Sequence, residues 1–217
     1  MLNNLPPITR ALLWSNGLLF LLQAALGDTV FLSFMLWPLG EHLLGYQAGE
    51  AVTTGFLPWQ LLTYGFLHGS VAHLFFNMLA LMMFGAPLET TWGSQRFAIY
   101  YFTCLAGAGL VQLAVASYAV HAGGTPYPTI GASGGVFGLL LAYGMLFPNQ
   151  RVMLLFPPIP MKAWVLVLGY GVLELVLGVT GAQVGVAHFA HLGGMAFGFF
   201  VIQYWRGRWP FRTKRRW

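Results

Sequence analysis

Apolar residues along this chain collect into six runs: Ile8 to Leu26, Val71 to Leu88, Phe97 to Val120, Ser133 to Phe147, Lys162 to Thr180 and Val186 to Trp205. Most are roughly 18 to 24 residues long, enough to cross a hydrocarbon layer about 30 Å thick. The pattern predicts an all-α, polytopic membrane protein built as a six-helix bundle. Its connections are short apart from the first, Gly27 to Thr63, which is rich in Leu, Phe and Trp, as in Phe31 to Trp37. That composition suits a segment lying in the membrane interface. No internal repeat or low-complexity tract interrupts the series. Residues 1–217 therefore read as one membrane domain, closed by a basic tail at 206–217. The first run carries a single positive charge near its start and is long for a signal core, so it reads as helix one and not as a cleaved leader.

Composition agrees. Of 217 residues 58% are hydrophobic and 7% charged, whereas a soluble domain carries about 25% charged residues. So few charges cannot coat a water-facing surface. The net charge of +5 would suggest nucleic acid in a soluble protein, but the placement of the basic residues points to topology. Arg10, Arg96, Arg151, Lys162 and the cluster from Arg206 to Arg216 all fall on one side of the six spans, and the three opposite connections contain no Lys or Arg. Short cytoplasmic loops hold such an excess, so both termini are expected in the cytoplasm, with the tail as an anchor for anionic lipid. No nucleic-acid partner is expected, and the oligomeric state is not legible. Cys104 has no second cysteine to pair with and reads as a packing residue.

Polar groups inside a span are costly and by default face the bundle interior, where they carry function. They gather here near the non-cytoplasmic ends of three spans: His68, His73 and Asn77 at the second, Ser133 at the fourth, His188 and His191 at the sixth. Ser133 stands fifteen residues before Pro148, and His191 fifteen before Arg206. At 1.5 Å per residue each lies roughly 22 Å from the cytoplasmic face, so Ser and His share a depth. The fourth span is short, and the stretch from His121 to Ala132 is rich in turn formers. Non-helical chain that dips into the membrane, with a helix starting at Ser133, accounts for both. It also leaves the Ser133 N–H unpaired at a positive helix end. Gly134 and Gly138 on span four and Gly194 and Gly198 on span six follow the small-xxx-small pattern of closely packed membrane helices. On span two, His73 and Asn77 are four apart and share a face.

A serine needs a base to become nucleophilic, and a tetrahedral acyl intermediate needs donors aimed at its oxygen. His191 can supply the first; the Ser133 N–H, His73 and Asn77 can supply the second. No Asp or Glu lies in the outer halves of these three spans, so a dyad is expected in place of a triad. Taken singly, each signal has a plainer reading. Gly-Ala-Ser-Gly is common in membrane helices, any one histidine could be a packing residue, and His188 reads as accessory or structural. The histidines could together hold a metal, but without a His-Glu-x-x-His motif no metal is expected, nor any cofactor. Glu174, near the middle of span five, is either hydrogen-bonded inside the bundle or marks a proton or ion path, with no partner base identifiable on another span. Glu89 is expected to anchor the cytoplasmic end of span two, together with Arg96.

Three stretches carry a family resemblance: His68-Gly-Ser-Val-Ala-His73-Leu-Phe-Phe-Asn77, Gly131-Ala-Ser133-Gly134, and Ala190-His191-Leu-Gly-Gly194 with Gly198 four residues further on. In this order and setting the chain resembles the rhomboid family of intramembrane serine proteases, in its minimal six-helix bacterial form. The resemblance implies a Ser133 nucleophile, a His191 base, and an oxyanion site from the Ser133 amide, His73 and Asn77, with His68 close by and Gly131 and Gly134 flanking the serine. It further implies an enzyme of the bacterial plasma (inner) membrane, open to the non-cytoplasmic side, that cuts single-span membrane proteins within or near their transmembrane segments. Glu89 to Phe97 looks like the family's turn between helices two and three. The first loop departs from some members in having no arginine. Phe137 stands where some have tyrosine, and its ring is expected to pack against His191. Two other functions are consistent with the composition: a non-catalytic membrane-protein binding or quality-control factor of the same fold, and a small transporter using Glu174 and the histidines.

Overall fold

The computed structural model describes residues 5–47, 49–153, 158–181 and 186–208; most of the predicted basic tail lies outside them. Helix α1 (Pro7–Leu26) opens with proline at its first position, where a missing N–H does no harm. It ends at Gly27, whose φ of 81° suits glycine. A carboxylate from elsewhere caps its first turn. Glu89 accepts hydrogen bonds from the Ile8 and Thr9 amides at 2.9 and 2.7 Å and from Thr9 Oγ1 at 2.8 Å, and Ser94 Oγ donates to it at 2.7 Å. The anchoring role expected of Glu89 thus extends to the first span.

The long first connection holds more regular structure than its composition suggested. A 3₁₀ segment (Asp28–Phe34) is followed by an antiparallel hairpin of β1 (Glu41–Gln47) and β2 (Glu50–Gly55), then by the short α2 (Gln60–Thr63). Some of its large apolar residues do not face outward: Phe31, Met35 and Trp37 form a small buried cluster with Leu67.

Helix α3 (Val71–Ala80) starts where Ser70 Oγ accepts from the His73 amide at 3.1 Å, a serine N-cap. It runs on through a π-helical turn, Leu81–Gly85, into α4 (Ala86–Trp92). Pro87 explains the widened turn, because its ring nitrogen can donate no bond to the turn before it. Gly93, at φ 79°, turns the chain into α5 (Ser94–His121). Then come α6 (Ser133–Leu146), a two-stranded β3 (Arg151–Met153) and β4 (Pro160–Lys162), α7 (Ala163–Thr180) and α8 (His188–Trp205).

Each predicted run therefore contains a helix. Among the described residues three segments, Val71–Trp92, Ser94–His121 and Ala163–Thr180, are long and apolar enough to cross a membrane. The 14 residues of α6 rise only about 21 Å, so this helix begins inside the bundle. It is central because its glycines remove side chains where neighbours press in. A methyl on Gly135 would meet the ring of Tyr101, one on Gly138 would meet Cys104, and one on Gly144 would meet Val167. Cys104 is buried there as packing. The Glu89 bonds join the start of α1 to the α4–α5 turn, and Trp205 at the end of α8 packs on Trp92 and Tyr100, with ring centroids 5.4 and 6.1 Å away. Arg10, Arg96 and Arg206 consequently gather at one end of the bundle, and Ser133 and His191 lie toward the other.

Candidate active site

The non-helical chain that leads into α6 is exposed as far as Thr125 but turns inward before the helix, where Thr129, Gly131 and Ala132 are buried and their backbone groups need partners. It finds them in the first connection. Leu36 and Thr129 exchange both backbone bonds at 3.0 and 2.8 Å, and the Gly131 amide donates to the Tyr64 carbonyl at 2.9 Å. Gly131 has φ +127°, a value side chains other than hydrogen rarely permit. A methyl there would also lie 2.7 Å from two ring atoms of His73 and 3.8 Å from Ser133 Oγ. Glycine thus lets an imidazole from α3 and the serine hydroxyl close on the same backbone. Ser133 is the first residue of α6, so its N–H has no acceptor within the helix.

His191, in the first turn of α8, brings Nε2 to 2.8 Å from Ser133 Oγ. Two contacts fix that ring. Phe137, one turn after the serine, stacks on it with centroids 4.2 Å apart and planes 4° from parallel. The α6 and α8 backbones also meet: a methyl on Gly194 would run into the Gly134 carbonyl oxygen, and one on Gly138 would lie 3.2 Å from the Gly194 carbonyl oxygen, whereas Gly198 faces the Tyr100 hydroxyl of α5. The expected close approach of these helices is present, and it brings a short side chain within reach of the imidazole.

His73 and Asn77 line the same cavity as Ser133 and His191. One Asn77 amide hydrogen is donated to the His73 carbonyl at 3.0 Å, which leaves the second available. His68 lies behind, edge-on to His73 at 5.0 Å between ring centroids; its amide donates to Gln23 Oε1 at 3.2 Å. Burial, with His73 beside it, pushes the His68 pKa down to about 4, so this ring is neutral near pH 7. The cavity, about 1220 Å³, runs between residues of α3 such as Phe76 and Ala80 and residues of α7 such as Tyr170 and Leu177. It is mostly apolar with few polar groups, as ligand sites usually are.

Glu174 does have partner bases on another span, contrary to the sequence expectation, and of its two readings the hydrogen-bonded one is present: its Oε2 lies 2.7 Å from His188 Nδ1 and 2.9 Å from His191 Nδ1. The His188 contact is a well-formed hydrogen bond. The His191 contact has the distance of one, but the oxygen stands off the Nδ1–H axis, so Nδ1 makes no aligned bond. Sequence reasoning missed this group although a signal was present: Glu174 and His188 lie seven positions to either side of Gly181. A helical hairpin centred there sets them level. Donor atoms of Glu174, His188 and His191 all fall within 4.8 Å of one another and could ligate a cation. Hydrogen bonding between acid and imidazole accounts for the same spacing.

A model of the Rhomboid domain matches residues 56–208, and the chain belongs to this family of integral membrane proteins. Among curated relatives it is 34% identical over 146 residues to rhomboid protease GluP of Bacillus subtilis, covering 66% of this chain and 25% of that protein. It is 29% identical over 211 residues to the mitochondrial Rhomboid protein 1 of Saccharomyces cerevisiae, covering 91% and 56%. RHOMBOID-like protein 4 of Arabidopsis thaliana is 32% identical over 152 residues, covering 70% and 35%. The chain thus spans between a quarter and somewhat over half of these relatives' lengths.

Proposed function

We propose that this chain is an intramembrane serine endopeptidase that cleaves single-span membrane proteins within or near their transmembrane segments. The observation that carries the reading is the 2.8 Å approach of His191 Nε2 to Ser133 Oγ at the unpaired start of α6. Ser133 Oγ attacks the substrate carbonyl carbon while its proton passes to His191 Nε2. The carbonyl π electrons become an oxyanion, faced by the Ser133 N–H, the remaining Asn77 amide hydrogen and His73. Collapse breaks the C–N bond, and His191 returns the proton to the leaving amine. Water repeats the sequence and frees the acyl half.

The apolar cavity beside α3 and α7 suits an extended segment drawn from lipid, and substrates with a helix-breaking, small residue at the cut unwind into it with least penalty. The one-sided basic residues support termini in the cytoplasm of a bacterial cell, with the site opening to the opposite face of the plasma membrane. The Bacillus subtilis relative, named as a rhomboid protease, supports the same activity. The test is cleavage of a single-span substrate by purified protein in detergent or bilayer. Wild type cleaves and Ser133→Ala does not; equal cleavage by both removes the assignment.

A further inference from the structure

We propose that Glu174 is a positioning residue for this reaction. Its carboxylate occupies the Nδ1 side of His191, selects the tautomer whose Nε2 can accept the Ser133 proton, and offsets the positive charge that His191 then acquires. The inference rests on the Ser133–His191 reading above, but it concerns a residue on another helix and a different atom of the imidazole.

A neutral imidazole carries one proton, on one of two nitrogens, and the partner of the other nitrogen decides which. Nε2 faces Ser133 Oγ at 2.8 Å, and it can take the serine proton only if it holds none already. The ring proton must then sit on Nδ1. A protonated nitrogen on a residue only 7% exposed needs an acceptor, and Glu174 Oε2 is the oxygen beside it, at 2.9 Å. The opposite tautomer sets a bare Nδ1 lone pair against a carboxylate oxygen at that distance, which is repulsive. Glu174 therefore works against the unreactive form as well as for the reactive one.

The carboxylate is itself held. His188 Nδ1 lies 2.7 Å from the same oxygen, and α7 and α8 are packed neighbours. Sharing one oxygen between two imidazoles explains why it stands off the His191 axis. In the resting state His191 and Glu174 interact as a dipole with a charge. As Ser133 Oγ bonds to the substrate carbon and its proton arrives on Nε2, the imidazole becomes a cation with a proton on each nitrogen, and its Nδ1–H faces an anion across 2.9 Å. Low local polarity strengthens that attraction. The proton remains on His191 throughout, for return to the leaving amine, and Glu174 takes none. Burying a lone carboxylate in a membrane bundle is costly; a role in the reaction gives a reason for its presence.

The test uses the full chain in lipid nanodiscs with a fluorogenic single-span substrate. Glu174→Gln is expected to lower kcat by about 10²–10⁴-fold with KM within about twofold, because only the charge that meets the imidazolium is lost. Glu174→Asp, which keeps the charge on a shorter stem, is expected to recover at least about tenfold of that loss. Wild-type kcat in Glu174→Gln, or Asp no better than Gln, overturns the proposal while leaving the protease assignment standing. An inert wild type removes both. A second measurement needs no folded variant at Glu174: ¹⁵N NMR of histidine-labelled wild type, with His191 assigned by its loss in His191→Ala. The expected state has the proton on Nδ1 and a bare Nε2; the reverse tautomer overturns the proposal.

Discussion

Gly194→Ala tests whether the contact between α6 and α8 sets the site. The added methyl would run into the Gly134 carbonyl oxygen and lie 2.9 Å from its carbonyl carbon, where such atoms normally keep about 3.5–4.0 Å. The obstruction is backbone inside a helix, so it cannot swing aside as a flexible side chain does. The helices must part by about 1 Å. His191 precedes Gly194 by one turn on the same face and moves with it. The Ser133–His191 distance then opens from 2.8 Å past the hydrogen-bond limit of about 3.2 Å. A displacement of about 1 Å costs about 100-fold in rate, and overpacking costs about 1–3 kcal/mol of stability. The assay pairs initial-rate cleavage of a single-span substrate with thermal unfolding in detergent. Gly169→Ala on α7 is the control, since a methyl there meets nothing within 4 Å and should leave the rate unchanged and the unfolding midpoint no lower. Wild-type kcat in Gly194→Ala would refute the reasoning, because it would mean that the helix contact does not hold the serine and histidine together.

Two further outcomes follow from other parts of the molecule. Glu89→Ala leaves four donors from Ile8, Thr9 and Ser94 without their acceptor and is expected to destabilise the fold by about 3–5 kcal/mol. Thermal unfolding checks this, and an unchanged midpoint counts against Glu89 as the tie between α1 and the α4–α5 turn. Chelation by EDTA is expected to leave cleavage unchanged, because the Glu174–His188–His191 spacing is that of acid–imidazole contacts; activity lost on chelation and restored by zinc would reassign that cluster as a metal centre.

Much of the helical framework was legible because lipid imposes it. Apolar runs of membrane-crossing length leave few alternatives, and α1, α5 and α7 fall within a few residues of the predicted bounds. Ser133 and His191 could be paired by counting residues from their cytoplasmic ends, and the glycines Gly134 and Gly194 signalled that backbones, not side chains, would meet. Other features depend on facts that periodicity does not carry. The hairpin at Glu41–Gly55 hid in a stretch whose leucines and aromatics read as interfacial, since strand pairing is set by backbone bonds that composition does not show. The partners of Glu174 are not legible for a related reason. Depth follows from counting along one helix, but contact depends on how α7 is rotated against α8, and only packing fixes that.

The most direct measurement is labelling by a fluorophosphonate probe, which reacts only with an activated serine. Purified wild-type protein in bilayers should be labelled at Ser133 by mass spectrometry, with the signal absent in Ser133→Ala and in His191→Ala. Labelling that survives Ser133→Ala, or wild type that does not react while still folded, would contradict an activated Ser133.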